Sequence, residues 1–450
     1  MSEAFESFGR VAPPVYRGMS ADAAMAAFGA GSIASGSLLA YGNGRSYGDT
    51  CLNPTGAMID MRGLNRIISL DSDTGEVEVE GGVMLSALID HAIPFGYFPA
   101  VVPGTRFVTI GGAIANDVHG KNHHRRGTFG CHVDSLVLLR SNGNRLVCSR
   151  TQNSALFSAT IGGMGLTGLI VSAKMRLMKV SSPDVVERVT PFPSLGAYFD
   201  VAEQADSQNE YAVAWIDQLA TGRGAGRGLL LTGNHADASS VVKASGKLGL
   251  GVPFTPPFTV LNQPFLKAFN GAYRWAKGRK SGQHLSGYRS FFFPLDGVRN
   301  WNRLYGPRGL HQHQSVIPFE AARRALPAML TATHRAAQGS FLTVLKRFGD
   351  VTSPGLLSFP RPGYTLTLDF PHRGSRTLEL LAELDRITVD AGGAVNPYKD
   401  ARMGEDVFAA SFPNWRDLEA QRDPAFSSGF WQRTAGRLPP QQKHVPQAAE

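Results

Sequence analysis

Cysteine is scarce: Cys51, Cys131 and Cys148 are the only three in a chain of 450 residues. Their spacing matches no disulfide framework, so core packing must hold the fold and a reducing compartment is expected. None has flanking residues that would mark a nucleophile. Long apolar runs are missing as well. The longest, SLVLL at 135–139 and SFFFPL at 290–295, fall far short of a bilayer span, which takes ~20 residues. The opening stretch MSEAFESFGRVAPP is acidic and has no apolar centre, so no secretory signal is expected. The expectation is a cytoplasmic protein with no transmembrane helix, whose membrane contact, if any, is peripheral.

Negative charge has one conspicuous gap. Between Asp237 and Asp296 there is no acidic residue, while Lys243, Lys247, Lys267, Arg274, Lys277, Arg279, Lys280 and Arg289 fall there among Phe265, Phe269, Tyr273, Trp275 and Tyr288. This interval accounts for much of the net charge of +9. It suits an anionic membrane surface, a phosphorylated substrate or a solvated loop. No nucleic-acid reader motif accompanies it, so nucleic acid is not expected.

What the chain has in abundance is glycine, gathered in three places: YGNGRSYGDTCLN (41–53), PGTRFVTIGGAIANDVHGKNHHRRGTFG (103–130) and IGGMGLTGLIVSAKMRL (161–177). Around them, SADAAMAAF (20–28) predicts a helix capped by Ser20. RIISLDSDTGEVEVEGG predicts a hairpin turning at Asp73-Thr74-Gly75, and MLSALIDHAI sets Leu85, Leu88, Ile89 and Ala92 on one helical face. From about residue 183 the texture changes to alternating strands, YAVAWID, HQHQSVIP and YTLTLDFP, with helices near 319–336 and 377–393. This is an α+β pattern, with an antiparallel sheet covered by helices in its second part. The Pro/Gln-rich tail after about 433 is expected to be disordered.

The first glycine loop does not fit a Rossmann turn. Its glycines are Gly42, Gly44 and Gly48, the last one residue late, and DTCLNPTG follows where a helix should open. An anion held here would rest on loop N–H groups and Arg45 rather than on a helix N-terminus. Three such loops within 130 residues are costly in conformational entropy. A long ligand touching several backbone segments explains them, and FAD has that reach. Four histidines, His119, His123, His124 and His132, raise the question of a metal, but Lys121, Arg125 and Arg126 crowd the segment with positive charge, so none is expected.

GNGRSYGD, PGTRFVTIGGAIANDVHGKNHH, GGMGLTG, HQHQ and YKDAR, in this order, resemble the vanillyl-alcohol-oxidase class of flavoproteins with a PCMH-type FAD-binding domain. Within it they are most similar to the polyprenylphosphoryl-ribose 2′-oxidase family. The resemblance implies a two-subdomain FAD-binding domain with an inserted antiparallel-sheet substrate domain. Its limits would be 1–182 for the FAD domain, 183–393 for the substrate domain and 394–450 for the return to the FAD domain.

By the same resemblance, Tyr41, Gly42, Asn43, Gly44, Arg45, Ser46, Tyr47, Gly48 and Asp49 would cradle the FAD diphosphate. Gly104, Thr109, Ile110, Gly111, Gly112, Asn116, Asp117 and His119 would lie along the flavin and its phosphates, with Ile170 at the adenosine end. Arg45 stands where many members of the wider class attach flavin through His, so the FAD is expected to be non-covalent. Lys399, His119 and Tyr47 would be catalytic. Lys121, Tyr305, Gln312, Gln314, Lys346 and Thr367, again with Lys399, would bind substrate. The implied reaction is oxidation of the 2′-hydroxyl of a polyprenyl-phosphate-linked ribose. A short-chain reductase partner would follow it, with a quinone or dioxygen as electron acceptor. The nearest alternative is an oxidase of a soluble sugar alcohol or aldonolactone. Two departures from the family stand out: Thr367 replaces a Cys found in mycobacterial members, and Asn396 replaces a Tyr of close relatives.

Overall fold

A computed structural model describes residues 4–31, 33–238 and 250–439. Lys243 and Lys247 of the basic interval lie outside the described residues.

Two small sheets build the N-terminal part. Ser20 ends the strand Gly18–Ser20 and caps the helix Ala21–Ala27, its Oγ accepting from the Ala23 amide at 3.2 Å. That strand, Ala57–Asp60 and Leu38–Tyr41 form a parallel sheet with Ala57–Asp60 in the middle. The second sheet is antiparallel, in the order Ile67–Leu70, Glu76–Glu80, Leu169–Arg176, Val133–Leu139 and Arg145–Ser149. Helix Leu85–Ala92 turns Leu85, Leu88, Ile89 and Ala92 into the core beside Val77 and Val79. Each of the three larger side chains, fully buried, is worth about 1.5–3 kcal/mol.

The second part is an eight-stranded antiparallel sheet. Its order is Gly282–Ser286, Val185–Phe192, Gly228–His235, Tyr211–Ile216, Val344–Phe348, Gly363–Pro371, Leu310–Ile317 and Ala394–Val395. Register sets Gln312 opposite Asp369, Gln314 opposite Thr367 and Lys346 opposite Thr365. Because side chains alternate along a strand, these six polar residues share one face. The other face, with Leu345, Leu366, Leu368 and Phe370, meets helices Leu195–Gln208, Phe319–Arg335 and Ser375–Asp390 in an apolar core. The α+β architecture with an antiparallel sheet under helices is therefore found as expected.

After the edge strand the chain turns back on its own beginning. Helices Glu405–Ser411, Trp415–Gln421 and Gly429–Arg433 bury Phe408, Trp415, Leu418, Phe430 and Trp431 against Phe5, Leu39, Tyr41 and Met58. The expected disorder from about 433 is corrected for residues 434–439. Thr434 is buried and donates to the Phe430 carbonyl at 2.7 Å, and Ala435 joins the same apolar cluster. Burial of Phe430 and Trp431 draws this turn in, whatever its Pro and Gln content. The rest of that tail, 440–450, lies outside the described residues. No described helix is long and apolar enough to cross a membrane.

Candidate active site

The loop 41–49 leaves the strand Leu38–Tyr41 and ends in one 3-10 turn, Asp49–Cys51. That single 3-10 turn is all that follows Gly48 before the chain extends again at Leu52, so the dinucleotide turn excluded on sequence grounds is not formed. Gly44 has φ +58°, and a Cβ there would lie 2.2 Å from the Tyr41 hydroxyl, so only glycine fits. Among the described residues, the amides of Asn43, Gly44, Arg45 and Ser46 donate no hydrogen bond. The Arg45 guanidinium lies 5.5 Å from the Phe8 ring and 5.7 Å from the Phe107 ring, and burial lowers its pKa, with Asp296 the carboxylate that offsets this. Four open amides beside a half-buried cation fit an extended diphosphate.

In the second loop, Thr109 caps the helix Ile110–Ala115 by accepting from the Gly112 amide at 3.2 Å. The amides of Ile110 and Gly111 donate to Val83 O and Gly81 O at 2.8 and 2.7 Å. These groups, expected to run along a cofactor, are already taken by the protein's own carbonyls. The open group here is Asn116 Oδ1, buried without a partner, while its Nδ2 donates to Gly112 O at 2.9 Å. Gly104 is exposed at the rim.

Tyr47 and Lys399 come from loops that interlock at Gly48. The Tyr47 amide donates to Tyr398 O at 3.1 Å, and a Cβ on Gly48 would sit 2.0 Å from Asp400 O. Lys399 Nζ lies 4.5 Å from the centre of the Tyr47 ring. Beside it, Asp369 accepts from Gln312 Nε2 at 2.5 Å and from the Tyr305 hydroxyl at 3.5 Å. His119 lies against the Phe348 ring, its Nε2 2.9 Å from Gln314 Nε2 and its Nδ1 3.2 Å from Lys346 Nζ. The polar face of the eight-stranded sheet thus meets both glycine loops at one place, with Thr367 half-buried on that face.

Charge in this place is predominantly positive. Burial lowers the Lys346 amine to about 7, and Lys121 and Lys399 push it the same way. Burial lowers Lys399 to about 8, against the pull of Asp369. The Asp369 carboxyl is raised to about 7 by burial, with Gln312, Lys399 and Tyr305 opposing. Burial, and then Lys346, hold His119 well below its ordinary pKa, so its imidazole is neutral. Such a site welcomes an anionic ligand and gives a neutral His beside an amine near its titration point.

Some expected residues stand elsewhere. Asp49 is held by Arg433 through Nε and Nη2 at 2.9 and 3.0 Å. Asp117, fully buried, accepts from the Gly130 amide at 2.8 Å and from the Ser353 and Ser358 hydroxyls, both at 2.5 Å. Both carboxylates are internal ties. Lys121 donates to Phe291 O and lies 4.6 Å from the Phe291 ring, turned away from His119 although its charge reaches Lys346. Ile170 is in the core. The four histidines do not converge: His124 meets Asn209 O at 3.0 Å and His132 meets Arg126 O at 2.9 Å. Asp369, Asn396 and Tyr398 were not singled out as site residues, although they lie inside TLDFP and NPYKDAR. Their position beside Thr367 and Lys399 was the available signal.

A family model described as an FAD binding domain matches residues 23–149, which include the first two of the three glycine-rich segments. The chain is 35% identical over 400 residues to the decaprenylphosphoryl-β-D-ribose oxidase of Mycolicibacterium smegmatis, covering 86% of each chain. An uncharacterised protein from the mprA 5′ region of Streptomyces coelicolor is 32% identical over 379 residues, 79% of this chain and 100% of that one. The L-gulonolactone oxidase of Bos taurus is 29% identical over 153 residues, 34% of this chain and 33% of that one.

Proposed function

This chain belongs to the decaprenylphosphoryl-β-D-ribose oxidase family of FAD-dependent oxidoreductases, and from there we propose that it oxidises the 2′-hydroxyl of a polyprenyl-phosphoryl-β-D-ribose to the 2′-keto sugar, the first half of epimerisation to the arabinose form. The observation that carries this reading is the convergence of His119, Lys346, Gln314 and Lys399 on the polar sheet face, against the loop with four open amides. FAD, when bound, supplies the two-electron acceptor for hydride. The amides of 43–46 and Arg45 hold its diphosphate, and Asn116 Oδ1 accepts from an N–H or O–H elsewhere on the cofactor. Arg45 cannot form the covalent link that a His would, so the cofactor stays exchangeable. Tyr305, Gln312, Gln314 and Thr367 orient the sugar, and Lys399 neutralises negative charge taken up during turnover. A short-chain reductase completes the epimerisation, and a quinone or dioxygen reoxidises the flavin.

The test is a visible spectrum under anaerobic conditions. The expected result is a flavin band that bleaches on adding polyprenyl-phosphoryl-ribose and persists with L-gulonolactone or alditols. Bleaching by the soluble sugars alone would overturn the lipid-linked substrate in favour of a lactone or alditol oxidase.

A lipid-linked substrate also requires a seat at the membrane, and the acid-free interval has the surface for one. Phe254 and Phe258 are both 67% exposed and Trp275 is 64% exposed. The helix Gln263–Gly278 buries Leu266 and Asn270. Its opposite side carries Phe265, Ala268, Ala272 and Trp275, an apolar outer face that water does not reward. Exposed Lys267, Arg279 and Lys280 flank it, with Arg279 4.7 Å from the Trp275 ring. Aromatic anchors among cations suit an anionic bilayer surface. The inner side of this helix packs through Leu266 into the same cluster as Tyr47 and Tyr305, one side-chain layer from the site. The protein is expected to float with phosphatidylglycerol vesicles, to be released by salt, and to lose binding at least tenfold when Phe265 and Trp275 are both replaced by Ala. Equal flotation of that double variant would remove this seat.

A further inference from the structure

Hydrogen-bond direction can be followed outward from a group that has no choice. A backbone N–H only donates, so the Asn396 side chain presents its oxygen to the Tyr398 amide, 3.2 Å away. Its Nδ2 therefore donates to Gln314 Oε1 at 2.9 Å. Gln314 in turn donates through Nε2 to His119 Nε2 at 2.9 Å and to Thr365 Oγ1 at 3.0 Å. An imidazole nitrogen that accepts carries no proton, so in the neutral ring the proton is on Nδ1. Nδ1 faces Lys346 Nζ at 3.2 Å and Gly120 O at 3.4 Å. An ammonium has three N–H groups and no lone pair, and it cannot accept from Nδ1–H. A free amine can.

Deepening the reading above, on which it rests, we propose that Asn396 and Gln314 are positioning residues that fix the His119 proton on Nδ1, and that Lys346 is thereby kept as the free amine that takes the proton of the substrate hydroxyl. The balance is complete with the cofactor of the established family. The substrate carbon would give its hydride to oxidised FAD. The His119 Nδ1–H passes from the Lys346 lone pair to Gly120 O, the freed lone pair takes the proton as the O–H bond breaks, and the C=O bond forms. The ammonium then loses its proton to water. Titratable groups on the packed elements that act on Lys346 are His119, His123, Lys121 and Lys399, Lys121 through its charge alone. The only charges among them are positive, which favours the free amine near neutral pH. Asn396 is thus the first side chain of the relay.

The first readout is the 15N NMR spectrum of His119 in the apoprotein, which needs neither substrate nor flavin and so stands apart from the substrate assignment. The expected state is Nδ1–H with a bare Nε2. In N396D the near-isosteric carboxylate has no N–H for Gln314, which turns its amide over. The proton then moves to Nε2, and kcat falls about 10²-fold, within the range for loss of a positioned base. K346R keeps the positive charge without a usable lone pair and loses activity about 10²- to 10³-fold. A wild-type His119 protonated on Nε2, or a K346R enzyme with undiminished kcat, would overturn the proposal.

Discussion

Replacing Lys399 by methionine lowers kcat by about 10²- to 10³-fold, the range for loss of one preorganised charge at a reacting centre, and leaves flavin binding largely intact. The side chain keeps its length and apolar stem, so packing over the Tyr47 ring survives and only the cation goes. The diphosphate cradle lies on another loop, which is why cofactor content is the internal control. Methionine at 399 with full kcat would remove Lys399 from catalysis. Its titration supplies a second check. Burial sets the Lys399 amine at about 8, and its charged form is the useful one, so activity falls as pH rises through that value. Lys346, lowered to about 7, is useful without its proton, so activity rises through about 7. The expected profile is a narrow bell whose two limbs belong to a coupled pair. K399R, whose guanidinium stays charged, abolishes the alkaline limb and leaves the acid limb in place.

Replacing Arg433 by leucine destabilises the protein by about 3–5 kcal/mol, as removal of one partner from a buried ion pair does, and lowers kcat in the same variant. Arg433 joins Asp49 of the first loop to Asp400, its Nη2 lying 2.7 Å from Asp400 Oδ2. Burial pushes Asp400 up, but Arg433 and then Arg402 hold it down at about 2. Without Arg433 that carboxylate stays buried and undercompensated, next to Lys399 in the chain. R433K keeps the charge but loses the fork that spans both carboxylates, and falls between the two. Thermal unfolding of apoprotein and holoprotein reads the stability. An R433L protein within 1 kcal/mol of the parent, with normal kcat, would show that the tie holds nothing in place.

Local chemistry made much of this molecule legible in its sequence. The Ser20 cap and the Leu85, Leu88, Ile89 and Ala92 stripe depend on neighbours within a turn, and both stand in the structure. The alternation in HQHQ sets Gln312 and Gln314 on one face. Partners far along the chain were not legible. Asp49 looks like a loop residue facing a ligand until Arg433, 384 residues later, takes both its oxygens. Asp117 is claimed by Ser353 and Ser358, and the direction of Lys121 is set by a backbone carbonyl at Phe291. Burial also decided what residue type could not. A loop lysine reads as solvated, and it is burial, helped at Lys346 by the charges of Lys121 and Lys399, that brings the amines of Lys346 and Lys399 toward neutrality.

The return of the last helices to the first loop has a consequence for how the cell makes this enzyme. The tie between Asp49 and Arg433 cannot close until the 384 residues that separate them have been made, about 20–80 s at ~5–20 residues per second. Until then Asp49 and Asp400 wait without the cation that joins them. A nascent chain arrested before Arg433 therefore carries its first glycine loop with that fastening still open.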